Sequence, residues 1–202
     1  MKLYDSSIAP NPRRVRIFLA EKGVSVPVEQ VDIAKAVNRQ PEFLSKNPFG
    51  GVPVLELDDG TFVAESIAIC RYFEATHPRP ALFGEGAKQI ALVEMWQRRM
   101  ELGLLSPVAM CFQHTSEFFK GRIPQVAEWG ELNRKGALTR LAWLDGELAS
   151  RKYVAGDSYS VADITAQVAV DFARASQIRI LPEQKNLARW HAELSARPSA
   201  KA

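Results

Sequence analysis

The spacing of apolar residues in the first eighty positions predicts short strands that alternate with helices. Apolar residues recur at helical spacing from Arg13 to Lys22, and Gly23 follows as the residue that ends the helix. Asp58-Asp59-Gly60 is typical of a hairpin turn between two strands. Another helix begins at Ser66. The predicted order is βαβαββα, with strands at residues 2–4, 26–31, 52–57 and 61–64 and a short helical piece at 41–44.

Beyond residue 80 the pattern becomes wholly helical. The proline-rich stretch from His77 to Pro80 predicts a linker. One long helix is predicted from about Ala87 toward Phe119, with a kink at Pro107 because proline removes a main-chain hydrogen bond. Three further helices are predicted, around residues 138–148, from 160 onward and around 187–194. The fold class is therefore α/β plus all-α, with domains at residues 1–80 and 86–202.

Composition and charge narrow the function classes. The chain has 202 residues, 47% of them hydrophobic, and a formal net charge of +3. This mild charge argues against a nucleic-acid partner, and the basic cluster Arg13, Arg14 and Arg16 is interpreted as a solvated helix face. There is no apolar run long enough to cross a membrane and no signal-peptide pattern. We expect a cytoplasmic protein with two buried free thiols, Cys70 and Cys111.

The dipeptide Glu65-Ser66 has two interpretations. Ser66 stands where an N-cap is expected, and its hydroxyl would then bond a free main-chain N–H. The same helix start has unpaired donors and a partial positive charge, so it also suits a ligand carboxylate, with Glu65 accepting from an ammonium group. From these residues alone the cap is the simpler interpretation.

Two other segments in the first eighty residues are candidates for binding or catalysis. Val52 precedes Pro53, whose missing N–H leaves main-chain groups free to pair with a peptide-like ligand. The loop from Asp5 to Pro12 leads into the first helix, where hydroxyl or amide donors and the helix dipole favour a thiolate. The alternative is that Ser6, Ser7 and Asn11 only form turns and caps.

In the helical half, the segment Ser160-Val-Ala-Asp163 predicts a capping box. We therefore interpret these residues as stabilising a helix start and not as part of a functional site. The three histidines are scattered, and no cluster of His, Cys, Asp or Glu has the spacing of metal ligands. No metal site is expected.

These segments together resemble the cytosolic glutathione S-transferase superfamily. The resemblance rests on LYDSSIAPNPRRVRIFLAEKG, on PEFLSKNPFGGVPVLELDDGTFVAESIAICRYF and on VAGDSYSVADI, in that order along the chain. It implies a thioredoxin-like N-terminal domain, an all-α C-terminal domain that contributes the electrophile site, and a homodimer. It also implies glutathione as the co-substrate and no metal.

The resemblance assigns the glutathione-binding residues one by one. Pro53 matches the family's cis-proline, and Val52 matches the residue whose main chain pairs with the cysteinyl part of glutathione. Glu65 and Ser66 match the pair that holds the γ-glutamyl head. Asn38 falls where many members contact the glycyl end.

The resemblance leaves the thiol-activating residue open. Where serine-type members carry their serine, this chain has Ala9, and the loop contains no cysteine. The sequence Ala9-Pro10-Asn11 is similar to the nu-like bacterial members, in which an asparagine contacts the sulfur. We therefore rank Asn11 first, Ser7 second and Tyr4 third as the catalytic donor.

The expected function is transfer of the glutathione thiolate to an electrophilic, peroxide or disulfide substrate. Such an enzyme would serve in detoxification. The second substrate is expected between the loop and the long helix. The alternative is a non-catalytic binding protein on the same fold, similar to stringent-starvation proteins. The candidate wall residues for the second substrate are Met100, Leu104, Val108, Cys111 and Phe112.

Overall fold

The structure is a computed structural model that describes residues 1–202. Contacts divide the chain into two units, Met1–Ala81 with Pro198–Ala202, and Leu82–Arg197. In the first unit the predicted order βαβαββα is confirmed. Its elements are β1 (Lys2–Asp5), α1 (Pro10–Lys22), β2 (Val28–Gln30), α2 (Pro41–Leu44), β3 (Val54–Glu56), β4 (Phe62–Ala64) and α3 (Ser66–Thr76).

The four strands of the first unit form one mixed sheet in the order β2-β1-β3-β4. β1 pairs in parallel with β2, whereas β1–β3 and β3–β4 are antiparallel. The register sets Tyr4 opposite Val54 and Val54 opposite Ala64. This brings the end of β1 and the entry to β3 to neighbouring positions in the sheet, so the loop after β1 and the segment before β3 belong to one region.

The start of α1 differs from the sequence expectation. The helix begins at Pro10, with Ala9 as its N-cap, and not at Arg13. Pro10 and Pro12 read as loop residues in the sequence, but proline is tolerated in a first turn because those N–H groups have no intrahelical acceptor. The C-terminus agrees with the prediction, since Gly23 caps the helix with φ 65°.

The second unit is helical, as predicted. It contains α4 (Gly86–Met100), α5 (Ser106–Thr115), α6 (Ala127–Glu147), α7 (Val161–Ala173) and α8 (Lys185–Ser195). Its core is one cluster of buried apolar side chains contributed by these helices, with Trp190 the largest fully buried residue.

The long helix predicted from about Ala87 toward Phe119 is interrupted in the turn before Pro107. α4 and α5 are joined by a π-helical segment, Glu101–Leu105, and Pro107 lies in the first turn of α5. The wider π-helical turn leaves room for the ring of Pro107, which would otherwise clash with a carbonyl group of the preceding turn. α5 also ends at Thr115, and a separate 3-10 turn, Glu117–Phe119, follows.

Most of the candidate wall residues belong to the core of the second unit. Met100, Leu104, Val108 and Cys111 are 0% exposed and lie in its apolar cluster. The core interpretation therefore explains them, and only Phe112 is partly exposed. Its ring contacts a group of aromatic side chains, at centroid distances of 5.1 Å to Phe172, 5.8 Å to Phe119 and 6.2 Å to Phe118.

Candidate functional site

The start of α3 is open. Glu65 is the N-cap by position, but no side chain caps the helix, and Glu65 itself has a positive φ of 68°. Non-glycine residues in such conformations cost about 1–3 kcal/mol and cluster at functional sites. The carboxylate of Glu65 is exposed next to a helix start that has unpaired N–H groups.

The sequence interpretation of Ser66 as an N-cap is wrong. Ser66 is the first residue of α3, and no side-chain cap hydrogen bond is formed there. The residue is 3% exposed, and its hydroxyl has no hydrogen-bond partner within the protein. A polar group in this state is suited to a ligand, because it gains a bond on binding that the free protein lacks.

The segment before β3 also has free main-chain groups. The Val52–Pro53 peptide is cis, in agreement with the resemblance. The strand pairing of β3 begins at Val54, and the N–H and C=O of Val52 bond to no other main-chain group. An extended peptide can therefore pair with Val52.

The loop from Asn47 to Gly51 is held by side-chain amides. Asn38 donates from Nδ2 to the carbonyl of Gly50 at 2.7 Å, and Asn47 donates to the carbonyl of Gly51 at 2.9 Å. Gly50 has φ 63°, and a Cβ there would lie 2.8 Å from the carbonyl oxygen of Asn38. Asn38, predicted from the resemblance to contact the glycyl end, therefore also fixes the loop that leads to Val52.

The first turn of α1 presents one main-chain donor. The N–H of Ala9 bonds to the carbonyl of Ser6 at 3.0 Å, and Pro10 and Pro12 have no N–H. Helix geometry gives the N–H of Asn11 no intrahelical acceptor. The two prolines thus leave the N–H of Asn11 as the single free donor at this positive helix end.

The side chain of Asn11 is exposed and oriented by a neighbour. Nη2 of Arg14 donates to Oδ1 of Asn11 at 2.9 Å, so the amide Nδ2 remains available as a donor. Arg14 is only 4% exposed, and its sequence interpretation as part of a solvated helix face is wrong. The sequence signal for this contact was the position of Arg14 three residues after Asn11, because side chains at i and i+3 meet on a helix.

The two other catalytic candidates have different surroundings. Ser7 is exposed, and its main-chain N–H donates to Oε1 of Gln30 at 3.0 Å. The hydroxyl of Tyr4 donates to Oε2 of Glu56 at 2.7 Å. Burial, followed by this hydrogen bond, raises the pKa of Tyr4 above its ordinary value. Because its proton is held by Glu56, Tyr4 stays last in the ranking.

The start of α7, in contrast, is closed. The predicted capping box of Ser160 and Asp163 is present. Asp163 is 0% exposed, and its carboxylate accepts from the N–H of Val154 at 2.8 Å, from Nε1 of Trp190 at 3.0 Å, and from the N–H and hydroxyl of Ser160 at 3.0 and 3.1 Å. Burial raises the pKa of Asp163 to about 6, although the four hydrogen bonds act in the opposite direction and lower it.

Each of the three histidines has a partner of its own, and Nδ1 of His77 lies 3.0 Å from Oγ1 of Thr76. Nδ1 of His114 accepts from the N–H of Val126 at 3.1 Å, and His191 lies 2.7 Å from Oδ1 of Asp171. No group of three or more His, Cys, Asp or Glu side chains is arranged to hold a metal ion. No helix is both long enough and apolar enough to span a membrane.

Comparisons with known proteins connect both units to one family. Residues 8–76 match the model for the N-terminal domain of glutathione S-transferases, and residues 109–198 match that for their C-terminal domain. The chain is 40% identical to "Glutathione S-transferase 2" of Saccharomyces cerevisiae over 205 residues, which covers 100% of this chain and 88% of the relative.

Solved structures agree with the sequence relatives. Crystal structures of Gtt2 from Saccharomyces cerevisiae and of a class Gtt2 glutathione S-transferase from Vibrio parahaemolyticus superpose with TM-scores of 0.95 and 0.89, at 40% and 37% identity. Both alignments cover 100% of this chain, and they cover 99% and 96% of the other chains. The predicted combination of a thioredoxin-like domain and a helical domain is confirmed.

Proposed function

The chain belongs to the glutathione S-transferase family and is a glutathione transferase, and we propose that its first unit binds glutathione across Val52 and the start of α3. The observation that carries this proposal is the set of unpaired polar groups at the two places. The main-chain groups of Val52 and the hydroxyl of Ser66 have no partners within the protein. Bound glutathione would supply a peptide group to the first and a carboxylate to the second.

The γ-glutamyl head of glutathione is a zwitterion, which suits the start of α3. Its carboxylate would accept from the hydroxyl of Ser66 and from the first N–H groups of the helix, where the helix dipole favours negative charge. Its ammonium group would donate to Glu65, whose carboxylate is exposed beside this helix end. We assign the glycyl end to the neighbourhood of Asn38.

We propose that Asn11 stabilises the glutathione thiolate. It offers two donors to the sulfur, the free main-chain N–H and the Nδ2 group that Arg14 leaves unpaired. Donors to the ionised form lower the pKa of a thiol, as does the positive end of α1. An amide does not accept the thiol proton, so Asn11 lowers the pKa and the proton leaves to solvent.

The thiolate then attacks the second substrate. With a carbon electrophile, a carbon–sulfur bond forms and the leaving group departs with its electron pair. With a disulfide, the thiolate sulfur displaces one thiolate and forms a mixed disulfide. A peroxide would consume two glutathione molecules and give glutathione disulfide, an alcohol and water.

We also propose a cytoplasmic homodimer. The support for the dimer within this chain is Phe49, whose side chain is 82% exposed on a loop fixed by Asn47 and Arg39. Aromatic side chains are enriched at protein–protein interfaces, so we take Phe49 as a candidate contact for the partner subunit. The buried free cysteines, Cys70 and Cys111, suit a reducing compartment. Sedimentation of the purified chain as a monomer at micromolar concentration would contradict the dimer.

Titration of the bound thiol tests the assignment of Asn11. Asn11→Ala is expected to raise the pKa of bound glutathione, followed by the thiolate absorbance near 240 nm, by about one pH unit, equivalent to about 1.4 kcal/mol. Ser7→Ala and Tyr4→Phe serve as matched variants and should leave the titration unchanged. A shift in Ser7→Ala alone would transfer the role to Ser7. A protein that is not retained on immobilised glutathione and shows no thiol-transfer turnover would favour the binding-protein alternative.

A further inference from the structure

Asp5 is the buried centre of a network of polar groups at the end of β1. The residue is 1% exposed. Its Oδ1 accepts from Nη1 of Arg16 at 2.7 Å, and its Oδ2 accepts from Nε2 of Gln30 at 2.7 Å. Both carboxylate oxygens are therefore occupied by side chains from two other elements, α1 and β2.

The two partners of Asp5 meet again at Ser7. Oε1 of Gln30 accepts from the N–H of Ser7 at 3.0 Å, and Nη2 of Arg16 lies 3.4 Å from the carbonyl oxygen of Ser7. The result is a closed ring of hydrogen bonds through Asp5, Arg16, Ser7 and Gln30. It holds the main chain of Ser7 on both sides and connects β1, α1 and β2 to the loop between them.

We propose that Asp5, Arg16 and Gln30 are positioning residues for the reaction. This proposal rests on the proposed function, in which Asn11 donates to the glutathione thiolate at the start of α1. Ser7 is three residues before the first turn of α1, so its main-chain position sets the distance from the loop to the donors of Asn11. Displacements of about 1 Å in such a site cost on the order of a hundredfold in rate.

The alternative is that the ring only stabilises the fold. A substitution of Gln30 distinguishes this structural role from a positioning role. Gln30 is exposed on an edge strand, so its removal creates no cavity. Gln30→Met keeps the length of the side chain and removes both of its bonds in the ring. Glu29→Met is the matched control, because Glu29 is the exposed neighbour on the same strand and pairs with Lys2 outside the ring.

The experiment compares steady-state kinetics and thiol titration in the three proteins. For Gln30→Met we expect kcat to fall about tenfold and the pKa of bound glutathione to rise, with the KM for glutathione within about threefold, because Val52, Glu65 and Ser66 are untouched. Glu29→Met should match the wild type. A Gln30→Met protein with unchanged kcat and thiol pKa would overturn the proposal.

A second variant tests the arginine side of the ring. Arg16→Lys keeps the charge that neutralises Asp5 but loses the forked geometry that also reaches Ser7. We expect the same fall in kcat, with a melting temperature close to that of the wild type. If the wild type itself bound no glutathione, the proposed function would fail. If the wild type bound and ionised glutathione normally and both variants behaved like it, only the ring would lose its assigned role.

Discussion

The helices α3 and α7 both begin beside a serine and a carboxylate, yet only one of these helix starts is satisfied by the protein. At α7, the carboxylate comes three residues after Ser160 and accepts four hydrogen bonds. At α3, the carboxylate of Glu65 comes one residue before Ser66, and no side chain caps the helix. The position of the carboxylate relative to the serine thus decides whether the helix start closes on itself or is left for a ligand.

The main chain explains the difference. Ser160 is extended, with φ −146° and ψ 173°, which allows Asp163 to reach back to its N–H. Glu65 has φ 68° and ψ 117°, a conformation that costs stability in a residue with a Cβ. The start of α7 therefore contributes stability, whereas the start of α3 loses some stability and leaves the charge of Glu65 exposed. Each prediction below alters one of the two.

The largest effect is expected from Asp163→Ala. The substitution leaves four buried donors without an acceptor, among them Nε1 of Trp190 on α8. The expected loss is about 3–5 kcal/mol in the free energy of unfolding, because each unpaired buried group carries its desolvation cost. Urea unfolding measures it. Asp157→Ala, in the same loop but exposed, is the control and should be nearly neutral. Equal stability of the two variants would show that the closed start of α7 is not needed.

Protonation of Asp163 gives the next largest effect. Its folded pKa is about 6, against an ordinary value of 3.8, and burial is the main cause. Between pH 4 and 6 the folded state keeps this proton while the unfolded chain has lost it, so stability falls as pH rises and levels off above pH 6. The difference in unfolding free energy between wild type and Asp163→Asn should shrink by about 3 kcal/mol over this range. A difference that does not depend on pH would contradict the raised pKa.

These two helix starts also show how far the sequence leads. The capping box of α7 was predictable, because a serine and an aspartate three residues apart satisfy each other locally. The open start of α3 was not, since the positive φ of Glu65 depends on how β4 enters the helix and leaves no signal in the two residue types. From Glu65-Ser66 alone the simpler interpretation was a cap, and the resemblance was needed to choose otherwise.

The start of α1 was likewise not predictable from the sequence alone. Pro10 and Pro12 were visible as helix-compatible residues only once the register of the first turn was known. The burial of Arg14 and the ring through Asp5 depend on three elements that meet in the fold, α1, β1 and β2. The element order needs only periodicity, whereas partners distant in the chain require the tertiary structure.

The third prediction concerns the open helix start. Glu65→Gly should weaken glutathione binding by about tenfold to a hundredfold, because a charged hydrogen bond contributes about 1.5–3 kcal/mol. The free energy of unfolding should stay within about 1 kcal/mol of the wild type, since glycine relieves the positive φ but loses more entropy on folding. Isothermal titration and urea unfolding measure the two. Glu65→Gln keeps an acceptor without the charge and should bind with intermediate affinity. Loss of stability without loss of affinity would reverse the roles given to α3 and α7.

The smallest effects come from the two serines, and they provide the most direct comparison because the same atom is removed. Ser66→Ala should reduce glutathione affinity about threefold to tenfold, the value of one hydrogen bond, and leave stability unchanged because its hydroxyl has no partner in the protein. Ser160→Ala should lower the free energy of unfolding by about 1 kcal/mol and leave affinity unchanged. If Ser66→Ala destabilised the fold as much as Ser160→Ala, its hydroxyl would be a cap after all. The contrast between an open and a closed helix start would then rest on Glu65 alone.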